Sequence, residues 1–237
     1  MALPQVVLPT YELEIPSNGK KIKYRPFVVK EEKLLLLAME SDDVVNIEAA
    51  VKQLLKGCIQ SRVKIDDLAI FDLEYIFLQI RAVSVGEVVD MNITCEDDGE
   101  TVVPYKLNLL EVAVQKPEGH SNKIMLSDDM GIMMRYPKFD TFIMGSIIGQ
   151  APTADSVVDI IAGCIDQIFD GEDVYDSSTT TKKEFREFLE NLTNTQFEKI
   201  QEFFGTSPKL EHIVKIVNPN TGVENEIVFS GLASFFG

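Results

Sequence analysis

The residues of this chain best suited to chemistry are three cysteines, two histidines and several clusters of carboxylates, and their spacing serves no familiar reaction. Cys58, Cys95 and Cys164 stand far apart and form no C-x-x-C pair. Cys95 precedes the tight turn Glu96-Asp97-Asp98-Gly99, where a zinc knuckle would need a second cysteine or histidine so that four ligands converge tetrahedrally. None lies nearby in sequence. The run Asp170 to Asp176, DGEDVYD, alternates carboxylates like a calcium loop. Counted from Asp170, however, the position that needs an oxygen ligand holds Val174, and the position that needs glycine holds Tyr175. His120 and His212 fall at a loop and a strand start with no patterned partner, and no glycine-rich phosphate loop, H-E-x-x-H or G-x-S-x-G occurs. These residues predict a protein that is not an enzyme and carries no metal or cofactor.

The charge narrows the partners. A formal net charge of −16 and an isoelectric point near 4.5 oppose phosphate-backbone binding, which relies on lysine and arginine, so no nucleic acid is expected. Docking onto a basic protein surface suits this charge better. Hydrophobic residues make up 45% and charged residues 25%, the balance of a folded protein. No apolar run is long enough to span a membrane, and MALPQVVLPT lacks the basic start of a secretory leader. With unpaired thiols, these features point to a reducing cytoplasm, unless the chain leaves as part of a larger particle.

The elements that position these residues can be read from periodicity. Tyr11, Leu13 and Ile15 alternate before the turn Ser17-Asn18-Gly19, and the return strand places Lys21, Lys23 and Arg25 against Glu12 and Glu14. A helix is expected from about Lys30 through the run Leu34 to Leu37, which implies burial on more than one side. Ser41 or Asp42 would cap a second helix carrying Val51, Leu54, Leu55 and Cys58 on its apolar face. From Phe71 an amphipathic helix runs into a hairpin, Val88 to Cys95 and Thr101 to Leu109, and Leu109 to Val114 extends the return strand. Asn122 to Leu126 and Gly131 to Tyr136 make another hairpin, in a segment crowded with Met125, Met130, Met133, Met134 and Met144. Methionine fills core gaps and adapts to binding surfaces; the core reading is favoured.

A short helix is expected over Phe139 to Ile148, and a longer one capped by Asp155 or Ser156, with Val157, Ile160, Ile161, Cys164, Ile165 and Ile168 on one face. Two more helices, about Lys183 to Leu192 and Thr195 to Phe204, present phenylalanine stripes suited to antiparallel packing. The chain ends in a hairpin around Asn218-Pro219-Asn220-Thr221-Gly222, where Gly222 supplies the positive φ, and in an apolar tail ending at Phe235 and Phe236.

Several blocks in one order, YELEIPSNGKKIKYRPFVVKEEK, FDLEY…IRAVSVGE, CEDDGET, MRYP, CIDQIFDGEDVYDSSTTTKKE and IVNPNTGVENEIVFSGLASFF, resemble the T4-type bacteriophage baseplate proteins over nearly the whole chain. The similarity is strongest to the hub-assembly branch described as a hub chaperone. That resemblance implies work in tail assembly, through contacts with baseplate hub proteins and the tape-measure protein. It would act in the host cytoplasm during assembly. The alternative is a structural subunit retained in the virion baseplate. Either form could also be a homo-oligomer.

The fold class expected from this pattern is α+β: β-hairpins with packed helical pairs, and no parallel doubly wound sheet. Two regions are expected, an N-terminal α+β domain over 1–148 and a C-terminal helical region with a terminal hairpin over 153–237, divided near 149–153. The residues chosen as partner contacts are the acidic tip Glu96, Asp97 and Asp98, the acidic loop Glu172 and Asp173, and the terminal Phe235 and Phe236.

Overall fold

The computed structural model describes residues 6–41, 43–138, 154–231 and 234. Its strands form small antiparallel sheets interspersed with helices, the mixed α+β class expected. Two compact units emerge. One comprises Met1–Ile65, Phe71–Gln115 and Lys209–Gly237; the other comprises Asp66–Ile70 and Lys116–Pro208. The division expected at 149–153 falls outside the described residues. In the structure the terminal hairpin groups with the first unit, because strand Lys209–Val217 pairs with Ala113–Gln115.

In the first unit, β1 (Tyr11–Glu14) and β2 (Lys21–Tyr24) pair with Glu12 opposite Lys23 and Glu14 opposite Lys21, the register expected from their charges. Ile15, Ile22 and Tyr24 turn inward, and Gly19 closes the turn at φ 70°. Arg25 departs from the expected cross-strand pairing: its Nη2 lies 3.0 Å from Glu31. Glu31, at the start of α1 (Val29–Glu40), also accepts the Val28 N–H at 2.9 Å, so one carboxylate caps the helix and holds the arginine. Ser41 closes the end of α1, its hydroxyl donating to Ala38 O at 2.6 Å, and Asp43 takes the capping position before α2 (Val44–Cys58). The expected cap at Asp42 lies outside the described residues.

The leucine run is less buried than expected. Leu36 and Leu37 are 55% and 54% exposed. Successive helical residues turn by about 100°, so four adjacent leucines cannot all face α2. Helix α3 (Ile70–Val85) goes the other way: Phe71 to Leu73 and Ile76 to Ile80 are buried on several faces, beyond the single stripe expected.

Gly86, at φ 140°, leads from α3 into β3 (Val88–Thr94), which pairs residue for residue with β4 (Val102–Asn108). The expected extension of β4 does not form. The Asn108 side chain accepts the Leu110 N–H at 3.1 Å and starts a single 3-10 turn, Leu109–Glu111, after which β5 (Ala113–Gln115) leaves to join another sheet. That sheet has the order β11-β10-β5, with β10 (Lys209–Val217) and β11 (Glu224–Ser230) forming the terminal hairpin. Leu78, Leu107, Leu109 and Leu210 pack as one apolar cluster, and Ile93, Cys95, Val214 and Ile216 as another.

The second unit carries a four-stranded sheet, β6 (Lys123–Met125), β7 (Met130–Met134), β8 (Ile165–Asp170) and β9 (Asp173–Asp176), in that order. The helix expected through Ile168 stops earlier, as α4 (Ala154–Gly163), and it takes in Asp155 and Ser156, the expected caps, as helical residues. Ile165 pairs with Met134, but Gln167 pairs with Met133, so Asp166 is an extra residue at a bulge. The bulge turns Ile165 and Ile168 to the same face, and their three-residue spacing imitates a helix. Both are buried.

Helices α5 (Lys182–Glu190) and α6 (Asn194–Gly205) start at Thr181 and Thr193, whose hydroxyls accept the Glu184 and Gln196 N–H groups. Instead of packing chiefly on each other, α5 packs against α4 and α6 against β6. Phe185, Leu189, Ile200 and Phe203 still enter one core, with Ile132, Cys164, Ile165 and Met134. Met134 is buried and Met125 is 40% exposed, while Met144 and the helix expected over Phe139 to Ile148 lie outside the described residues.

Candidate functional site

The acidic tip between β3 and β4 is captured by the terminal hairpin. Its own turn closes through Cys95 N to Thr101 O at 2.7 Å and Gly99 N to Cys95 O at 3.0 Å. Asp98 accepts the Glu100 and Thr101 N–H groups at 3.1 and 3.0 Å and the Thr101 hydroxyl. The Asn218 amide donates to Asp97 at 2.9 and 3.1 Å and to Asp98 at 2.9 Å. Asn225 Nδ2 donates to Asp97 at 2.9 Å, and its Oδ1 accepts the Glu96 and Asp97 N–H groups at 2.8 and 3.0 Å. Thr221 donates to Asp97, and Asn220 to the Thr101 hydroxyl at 2.9 Å.

The two asparagines can do this because local structure presets them. Asn218 Oδ1 accepts the Asn220 and Thr221 N–H groups, an Asx turn that fixes its amide toward the carboxylates. Gly222, at φ 73°, closes that turn. Asn218 is fully buried and Asn225 is 5% exposed. Hydrogen bonds from Asn218 and Thr221 hold the Asp97 carboxyl below its ordinary range, and those from Thr101, with its backbone N–H, do the same for Asp98. The carboxylates of Asp97 and Asp98 are thus committed within the chain, while Glu96 contributes its backbone N–H. Read along the sequence, the N-P-N-T-G run announced only a turn. The missed signal was Asn225, a polar residue on the inward period of β11 beside Ile227 and Phe229.

The second acidic loop is placed differently. Glu172 and Asp173 form the exposed tip of the β8–β9 hairpin rather than a loop after a helix. Gly171, at φ 60°, donates its N–H to Asp129 O at 3.0 Å. Among the described residues neither Glu172 nor Asp173 makes an ion pair. The two acidic tips lie in different units, and Phe235 and Phe236 lie outside the described residues.

The chemically capable residues serve the core. Burial pushes the Cys58 thiol up to about 11 and Cys164 to about 12, and raises Cys95 with help from Asp97 and Asp98. Thiols so shifted hold almost no thiolate at neutral pH. His120, Tyr136 and Phe203 form a three-ring cluster, with the His120 centroid 5.7 Å from Tyr136 and 5.0 Å from Phe203, and Tyr136 5.7 Å from Phe203. The Thr206 hydroxyl donates to Glu202 O at 2.9 Å, so at 3.0 Å from His120 Nδ1 it accepts a hydrogen bond from the Nδ1–H. Burial, with Lys116 adding to it, lowers the His120 pKa and favours the neutral ring. Among the described residues no group of three or more histidine, cysteine or carboxylate side chains is placed to hold a metal. No described helix is long and apolar enough to cross a membrane.

Neither the curated proteins nor the solved structures contain a significant match to this chain. A family model described as T4 bacteriophage base plate protein matches residues 8–237. That match takes in both compact units and both acidic hairpins, and the chain belongs to the T4 bacteriophage base plate protein family.

Proposed function

We propose that this protein is an assembly factor for the baseplate hub, a chaperone that binds hub proteins, the tape-measure protein or both in the host cytoplasm. It acts by binding and not by catalysis. The observation that carries the reading is the family match over residues 8–237. Exposed apolar side chains support it: Leu36, Leu37 and Met39 on α1, and Val174 and Tyr175 on β9, are each half exposed or more. Such positions favour protein contact when they sit among charged neighbours. The family's description as a base plate protein also favours a second reading, a subunit retained in the virion.

Quantitative mass spectrometry of purified tails beside the soluble intermediates that precede them separates the two. Enrichment in intermediates and loss from finished tails supports the chaperone. Stoichiometric retention in finished tails overturns it and supports the structural subunit.

A further inference from the structure

A groove of about 430 Å³ opens in the second unit between α5 and the sheet edge at β9. Its apolar floor comes from Met130, Ile168, Phe185 and Phe188, continuous with the core of that unit. Tyr175, opposite Ile168 in the β8–β9 ladder and 50% exposed, forms one wall. A cavity of this size accommodates one or two large side chains, and the floor gains from each apolar group that displaces water.

The rim has one sign of charge. Asp170 and Glu184 line it, and among the described residues no lysine or arginine does. Glu184 uses one carboxylate oxygen to hold the Thr181 N–H at 2.7 Å, whereas Asp170, Glu172 and Asp173 make no ion pair among the described residues. An apolar floor beside several uncompensated carboxylates is complementary to an apolar group beside a cation. A second copy of this chain, at net charge −16, is a poor electrostatic match.

We propose that this groove docks a segment of a partner protein in which a large aliphatic or aromatic side chain is flanked by lysine or arginine. The apolar side chain sits on Phe185 and Phe188 under Tyr175, and the cations meet Asp170, Glu172 and Asp173. The proposal rests on the reading of this protein as a binding factor in tail assembly only for the class of its partner.

Three short labelled peptides added to the full chain test it by fluorescence anisotropy. One carries leucine or phenylalanine between lysines, one replaces the lysines with glutamate, and one replaces the apolar residues with serine. The first is expected to bind in the micromolar range and to weaken as salt is raised. Tyr175→Ser, and separately Asp170→Lys with Asp173→Lys, should each weaken it about tenfold. Equal binding of all three peptides, no binding of the first, or indifference to both variants overturns the proposal. So does a concentration-dependent dimer in sedimentation that Tyr175→Ser abolishes, since the occupant would then be a second copy. Peptide binding to the groove and tail stoichiometry are independent measurements, so failure of either experiment leaves the other reading intact.

Discussion

The β3–β4 and β8–β9 tips are built from the same materials, a glycine turn between strands with three or more carboxylates, yet they do opposite things. Asp97 and Asp98 are gripped by Asn218, Asn225 and Thr221. Glu172 and Asp173 face solvent, and their hairpin is anchored below the tip, where the Phe169 ring lies over Gly131 on the neighbouring strand. The role of an acidic turn is therefore set by the donors that the rest of the chain brings to it.

The sharpest way to break the comparison is Asn218→Ala. It removes the buried amide shared by both aspartates and the Asx turn that aims it, and should cost about 2–4 kcal/mol in urea unfolding. A loss near zero would mean that the tip is held by its own turn and not by the terminal hairpin. Next is Gly131→Ala, which tests the other anchor. A Cβ there would come within 2.4 Å of Phe169 Cζ and 2.6 Å of the Ile124 carbonyl oxygen. Backbone cannot yield as a flexible side chain can, so a loss of about 1–3 kcal/mol is expected by the same measurement.

Acid titration sharpens the contrast further. Asp97 and Asp98 have folded-state pKa values below their ordinary 3.8, so they bind protons more weakly folded than unfolded. Their contribution is fully present above that unfolded value and is lost as pH falls through the lower folded values. Unfolding free energy should therefore fall as pH drops below about 4, and the fall should be shallower in Asn218→Ala. The smallest effect is expected from Glu172→Gln with Asp173→Asn, which should leave stability within about 0.5 kcal/mol of the parent. A larger loss would reveal a partner for that tip within the chain.

Much of the scaffold was legible in the sequence because it is local. The register of β1 and β2, the positive φ of Gly222 and the burial of Cys58 and Cys164 follow from patterns a few residues long. Where the reading departed from the structure, a neighbour distant in sequence decided. The isoleucines of β8 carried helical spacing, and only pairing with β7 across a bulge made them a strand. The run Leu34 to Leu37 was apolar enough for a core, but α2 covers only part of α1. Of the chosen contacts, the sequence located both acidic tips, and an asparagine on the inward period of β11, Asn225, was its only sign that one of them was already occupied.

By itself, the sequence determined the mixed α+β class, most hairpin turns, and the membership in a base plate family that its ordered blocks resemble. Hydrophobic period, turn chemistry and capping act over one or two turns of chain, so they survive without knowledge of the rest. Tertiary structure alone decided which carboxylates stay open to a partner. A hydrogen bond between Asp97 and Asn218 joins residues 121 positions apart, and no local pattern encodes a donor that only folding brings within 3 Å.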